Sequence, residues 1–342
     1  GWTDVFLSKV DSSGNFEWAR TWGGPGWDWG AGVVADGSGN VYVTGYFQGA
    51  VDFEPGGGDP HTGDGANDVF LSKFDSSGNF QWARTWGGPS WDWGVGVVAD
   101  GSGNAYVTGY FQGIVNFDPG GGDPRTSNGK GDVFLSKFDS SGDFQWARTW
   151  GGAGDDWGHG VAAYDSGNAY VAGLFHGTVD FNPSGGDPHT PNGEVDVFLS
   201  KFDSSGNFEW ARTWGGSDED YGYGVAADGF GNVYVTGFFV GTADFDPDGG
   251  DPHASNGYWD VFLSKFDSSG NFKWARTWGG PVWDWGRGVA ADGSGNAYVV
   301  GAFSDTVDFA PADPPCNDDP DEHTSSGESD AFLTKHLADG CW

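Results

Sequence analysis

One hexapeptide governs what this chain can fold into. DVFLSK begins at Asp4, Asp68, Asp132, Asp196 and Asp260, and it returns as DAFLTK at Asp330. Successive starts are 64 residues apart four times, and the last step is 70. A fixed internal period of this size means stacked supersecondary units, none of which can bury its own apolar face alone. The array reads as a single domain over 1–342, with repeats 4–67, 68–131, 132–195, 196–259 and 260–329 and a partial sixth, 330–342.

The second repeat shows the parts. DVFLSKF reads as strand A, DSSGN as a turn, FQWARTW as strand B and GGPSWDWG as a loop. GVGVVAD then reads as strand C, DGSGN as a second turn and NAYVTGYF as strand D. Short alternating runs broken by Gly and Asn turns predict an antiparallel meander. In strand B the period of two sets Phe80, Trp82, Arg84 and Trp86 against Gln81, Ala83 and Thr85. Packing residues on both faces predict a sheet covered on both sides, as in a radial stack of blades. The 27 Phe and 20 Trp suit the wide wedges between five such blades. The expected fold is therefore an all-β, five-bladed β-propeller of four-stranded antiparallel blades, with a surplus terminal strand.

The string D-x-F-L-x-K, then G-x-x-x-W-A, a Gly-Gly turn and V-x-A-D-x-x-G-N-x-Y-V-T-G resembles the SBBP-type β-propeller repeat of bacterial exported and surface proteins. The resemblance covers essentially the whole chain. It implies a propeller in an extracellular setting and supplies no catalytic residues. The PGGGDP-type insertion between strands D and A departs from the simplest repeat.

Six A strands stand against five each of B, C and D. Either terminal A strand fills a given place in a closed ring, and the other is left with unpaired backbone groups. The surplus strand, Asp330, Ala331, Phe332, Leu333, Thr334 and Lys335, either lies on its own subunit or adds to a neighbour's sheet. Cys316 and Cys341 are expected to form a disulfide tying the last long loop to the tail. A secreted structural protein that polymerises, with copies of itself as partner, is the function expected. The absence of Met and the Gly1-Trp2 start are read as those of a processed, exported chain.

A formal charge of −34 disfavours nucleic acid and anionic membranes as partners and favours cations. All but 7 of the 49 acids are Asp, a residue of turns and short-reach cation ligation. The D–A loops gather such residues beside flexible Gly: Asp52, Glu54 and Asp59; Asn116, Asp118 and Asp123; Asp180, Asn182 and Asp187; Asp244, Asp246 and Asp251. Oxygen-only sets of this kind suit Ca²⁺, and capping of a tight loop is the alternative reading. The fifth copy keeps Asp308 but rewrites the loop. The repeat-locked Lys and Arg are expected to pair with Asp28, Asp92, Asp156, Asp220 and Asp284.

No nucleophile elbow or zinc pattern appears, and near-identical copies leave no symmetry-breaking pocket, so no enzyme activity is expected. A multivalent lectin is the alternative function, with glycans stacking on Trp27, Trp29, Trp91, Trp93, Trp283 and Trp285. No apolar run is long enough for a membrane-spanning helix.

Overall fold

The structure is a computed structural model that describes residues 1–164, 167–311, 316 and 319–341. Residues 312–315, 317 and 318 of the rewritten fifth D–A loop, and Trp342 from the partial sixth repeat, lie outside the described residues. All regular elements are strands, and every pair of named strands is antiparallel.

Sheets form across the repeat boundary. In the first compact unit, residues 1–158, strands C and D of repeat one (Trp29–Ala35, Val41–Phe47) join A and B of repeat two (Asp68–Phe74, Phe80–Trp86). The next sheet combines Trp93–Ala99 and Ala105–Phe111 with Asp132–Phe138 and Phe144–Trp150. A 64-residue repeat is therefore not one blade, as the meander reading has it. The cause is local. The C-strand turn is closed by Asp100, which accepts N–H bonds from Ser102 (2.9 Å) and Asn104 (3.0 Å), whereas the Gly-Gly-Pro segment after strand B carries the chain away. The D–A loop folds as a small hairpin, Ala50–Asp52 with Pro60–Thr62, and returns the chain beside strand D.

The second unit, residues 159–342, repeats the plan. Tyr221–Ala227, Val233–Phe239, Asp260–Phe266 and Phe272–Trp278 form one four-stranded sheet. The next has three strands, Trp285–Ala291, Ala297–Phe303 and the C-terminal Asp330–His336. At the other end of the chain, Val5–Val10 and Phe16–Trp22 form a two-stranded sheet.

Strand B supplies the packing between successive sheets. Trp214 meets Phe262 edge-on at 6.3 Å and Phe266 at 5.0 Å, within a buried cluster that also holds Val225, Val235 and Phe245. Gly237 in strand D has no room for a side chain, because an added Cβ would sit 1.7 Å from the Tyr221 carbonyl oxygen. That close approach accompanies the register shift between Gly222 and Gly224.

Candidate functional site

The two ends of the array differ from its interior in which face is bare. Phe70, Phe134, Phe198 and Phe262 are fully buried, whereas their counterpart Phe6 is 74% exposed. Inside the first unit, Phe70 is covered by Trp22 of the preceding hairpin (6.3 Å) and by Phe53 of its own loop (5.3 Å). The N-terminal hairpin has neither. Leu71, Leu135, Leu199 and Leu263 are likewise fully buried, yet Leu333 is 69% exposed. Leu263 packs with Val289 and Val299 of the following sheet, and nothing follows Leu333 among the described residues.

An open cleft runs along each of these strands. One of about 400 Å³ is lined by Thr3–Ser8 and by Asp28–Val33. The other, about 540 Å³, is lined by Asp330–Lys335 together with Phe303, Phe309 and His323. The C-terminal strand is held in the usual A register, with Gly301 opposite Phe332 and Phe303 opposite Asp330. Its following turn is also complete. Lys265 Nζ donates to Ala338 O (2.7 Å) and Arg276 Nε to Gly340 O (3.1 Å), as Lys73 and Arg84 do to Ser140 O and Gly142 O. The disulfide joins Cys316 to Cys341, 25 residues apart.

These contacts correct the expected ion pairs. The repeat-locked cations donate to backbone carbonyls of the next turn and lie over rings, as Lys73 does over Tyr42 (5.0 Å) and Arg84 over Trp82 (5.3 Å). The loop aspartates instead accept N–H bonds. Asp92 takes those of Gly88 (2.7 Å) and Gln112 (3.0 Å), and Asp220 those of Gly216 (2.6 Å) and Val240 (3.2 Å). Arg and Lys are flexible donors that satisfy turn carbonyls, and a buried carboxylate is served as well by two amides.

Each of these aspartates also faces the one that opens strand A. A methyl group on Gly215 would lie 2.6 Å from both Asp196 Oδ1 and Asp220 Oδ2. Asp196 Oδ2 accepts from Asn192 N (2.9 Å), while Oδ1 is buried without a donor, as are Oδ1 of Asp68, Asp132 and Asp260. Burial, opposed by the amide bonds and reinforced by the neighbouring carboxylate, pushes Asp220 up to about 7; burial likewise pushes Asp196 up to about 6. Sequence reading missed these pairs, although both residues recur in every full repeat.

The D–A loops place their acids as caps. Asp52 accepts N–H bonds from Asp59 and Gly58 (both 3.0 Å) and Glu54 (3.2 Å), which holds its carboxyl below the usual range. Asp180 and Asp244 repeat the pattern, and Asn116 accepts from Asp118 and Asp123. Asn182 and Asp246 cap the next residues in turn, accepting from Ser184 and Asp248. Asp59, Asp187 and Asp251 turn to His61, His189 and His253, and Asp123 to Arg125. The position thus takes a group that donates to the Asp, which explains how His and Arg interchange. Among the described residues no three His, Cys, Asp or Glu side chains gather where they could hold a metal ion. Asp244→Ala is expected to lower stability by about 1–3 kcal/mol in urea unfolding, and Asp244→Asn, which copies Asn116, by well under half of that.

The loop tryptophans are divided. Trp27, Trp91 and Trp283 are exposed, whereas Trp93 stacks on Tyr46 (5.0 Å) and meets Trp157 edge-on (5.7 Å).

Recurrent antiparallel sheets, with strand A of one repeat completing the sheet of the one before, are consistent with a β-propeller built of repeats. Residues 209–237 match the family described as SBBP, the beta-propeller repeat, and the chain carries that repeat there. Among curated proteins the chain is similar to the regulatory protein FlaEY of Caulobacter vibrioides, 29% identical over 42% of this chain and 15% of that protein. It is also similar to the uncharacterized WD repeat-containing protein L264 of Acanthamoeba polyphaga mimivirus, 24% identical over 88% of this chain and 26% of that protein. The chain thus spans about a quarter or less of the length of these relatives. Among solved structures it is similar to the calcium-binding protein regucalcin of Agrobacterium tumefaciens, with a TM-score of 0.27 at 10% identity over 79% of this chain and 81% of that one. A likeness to rhamnogalacturonan lyase YesW has a TM-score of 0.25 at 11% identity over 91% and 74%.

Proposed function

We propose that this protein is a non-enzymatic structural subunit of an extracellular array, a five-bladed β-propeller that joins copies of itself through a terminal β-strand. One observation carries the reading: both terminal A strands are one-sided. Asp68–Phe74 has strand D on one edge and strand B on the other. Among the described residues Val5–Val10 pairs only with its B strand, and Asp330–His336 only with its D strand. Unpaired edges are templates for another chain, and interior proteins of this kind cover or charge them when they are not used. Here each terminal strand also bares a Phe or a Leu on one face, Phe6 on the first and Leu333 on the last. The disulfide supports an oxidising compartment.

Phe6→Asp and Leu333→Asp test the reading without cutting the chain, because both side chains are already exposed. Sedimentation velocity with negative-stain microscopy is expected to find polymers of the parent chain and monomers of either variant. A parent chain that stays monomeric up to high concentration overturns the proposal.

A further inference from the structure

One position breaks the near-identity of the copies. Each C strand opens W-G-x-G-V, with Tyr for Trp in the fourth, and x is Ala31, Val95, His159, Tyr223 and Arg287 in turn. We infer that in the second unit Arg287 binds the carboxylate of an acidic sugar, with the rings of Tyr223 and Trp285 holding its guanidinium in place. The site lies apart from the terminal strands and does not rest on the assembly reading above.

Local geometry singles out this position. Strand C shifts register against strand D between Gly222 and Gly224 and again between Gly286 and Gly288, so Tyr223 and Arg287 have no residue opposite them. A bulge of this kind re-aims the side chain of its extra residue. The Gly that follows lets successive C strands approach. A Cβ on Gly160 would lie 2.8 Å from Tyr223 O, and one on Gly224 would lie 3.1 Å from Gly288 Cα. His159, Tyr223 and Arg287 thereby stand side by side. The His159 and Tyr223 rings are 4.9 Å apart, and Arg287 Cζ lies 4.4 Å from the Tyr223 ring and 5.8 Å from that of Trp285.

Charge then points to an anion. Outside the two repeat positions the cations are Arg125, Lys130, Lys273 and Arg287. The first three meet Asp123 (2.9 Å), Asp155 (3.4 Å) and Asp267 (2.7 Å). Arg287 is exposed, and among the described residues its contacts are the two rings and the Tyr223 hydroxyl rather than a carboxylate. His159 brings no competing charge: burial pushes it down to about 4, and its Nδ1 meets Gly222 O at 2.8 Å. A guanidinium has its N–H donors in one plane and takes a carboxylate through two parallel bonds. The net charge of −34 opposes an anion at long range, but salt screens that repulsion beyond about 8 Å at physiological ionic strength.

The surrounding rings select the body of the ligand. Trp259 meets Trp285 edge-on at 6.0 Å and lies 6.2 Å from the exposed Trp283. Aromatic faces supply contact area, and one charged group beside them fixes orientation. A sugar acid uses both, its ring faces against indole and its carboxylate on the guanidinium, whereas a bare sulfate would leave the rings unused. The first unit provides the contrast. Trp93 packs there with Tyr46 (5.0 Å) and Trp157 (5.7 Å), but the matching positions are Ala31 and Val95, so that aromatic cluster has no cation at this place.

The test titrates the full-length chain with glucuronate, glucose, acetate and sulfate, followed by calorimetry. Glucuronate is expected to bind in the millimolar range, and each of the other three about tenfold more weakly or less. Arg287→Val, which copies repeat two, is expected to lose about tenfold or more of the glucuronate affinity at an unchanged melting temperature. Arg287→Lys keeps the charge without the planar fork and is expected to bind a few-fold more weakly than the parent chain. Glucose binding as well as glucuronate overturns the role of the carboxylate, and sulfate binding as well overturns the role of the sugar ring. No uptake of glucuronate at tens of millimolar, or undiminished affinity in either variant, overturns the site.

Discussion

At pH 8, Asp196→Asn is expected to be more stable than the parent chain and Asp220→Asn less stable, although the two side chains face each other. Asp196 Oδ1 has no donor and looks at a carboxylate, while its Oδ2 takes the Asn192 amide. An Asn there keeps the acceptor and turns an N–H₂ toward Asp220, which removes a repulsion. Asp220 uses both oxygens to accept from Gly216 and Val240. An amide in that place must point a donor at a donor, a loss of about 1–3 kcal/mol. Purely steric accounts predict equal effects from two isosteric changes, so equal effects would reject the electrostatic one.

The same groups set the pH dependence. Asp68 and Asp196 are pushed up to about 6, and Asp92, Asp132, Asp220 and Asp260 to about 7, in each case mainly by burial. A carboxyl whose folded pKa exceeds its unfolded value contributes stability that is complete below about pH 4 and is lost as pH rises through 6 to 7. Thermal stability should therefore fall between pH 5 and pH 8. Two histidines act in the opposite sense. Burial pushes His159 down to about 4 and His336 to about 3, so the stability they hold near neutrality is lost as pH falls below about 6.5. Six acids against two bases put the optimum on the acid side of neutrality. A melting temperature that climbs steadily to pH 8 would reject this assignment.

Much of this was legible before any coordinates. The 64-residue period, the Gly/Asn turns and the alternation in DVFLSKF specify antiparallel strands, because turn chemistry and period are local properties. The Asp-Ser-Ser-Gly-Asn turn, for example, forms as expected, with Asp75 accepting from Ser77 and Asn79 (both 2.9 Å) and Gly78 at φ +76°. What the period cannot reveal is phase. A repeat boundary drawn at any residue gives the same count, so the sheet that combines C and D with the next A and B was not distinguishable from one that follows the repeat. The partners of Lys73 and Arg84 were hidden for a similar reason: charge complementarity suggested carboxylates, but unsatisfied turn carbonyls lay nearer. The surplus strand was countable, whereas the opposite bare faces at the two ends emerge only once each neighbour is known.

Breaking the Cys316–Cys341 bond is expected to free the C-terminal strand well before the rest of the second unit unfolds. Among the described residues that strand has strand D on one edge and no strand on the other, and His336 stands where Phe74, Phe138, Phe202 and Phe266 pack in the inner copies. A buried neutral imidazole against Trp278 (5.0 Å) replaces a phenyl ring. Its docking therefore relies more on the turn that Arg276 and Lys265 hold, and on the bridge beside it. Closing a loop between residues 25 apart restrains the released strand by roughly 3–4 kcal/mol. Hydrogen exchange in the Cys316→Ser/Cys341→Ser variant should then show amides of Asp330–His336 exchanging about a hundredfold faster or more, while those of Val233–Phe239 are unchanged. Exchange that accelerates equally in both strands would mean that the bridge stabilises the unit as a whole. If the edge of this strand is the docking site for a second copy, the same variant also loses polymer, because a strand that no longer holds its place offers no template. Intact polymers formed by a chain with a freely exchanging C-terminal strand would separate the two roles and leave assembly to the N-terminal edge alone.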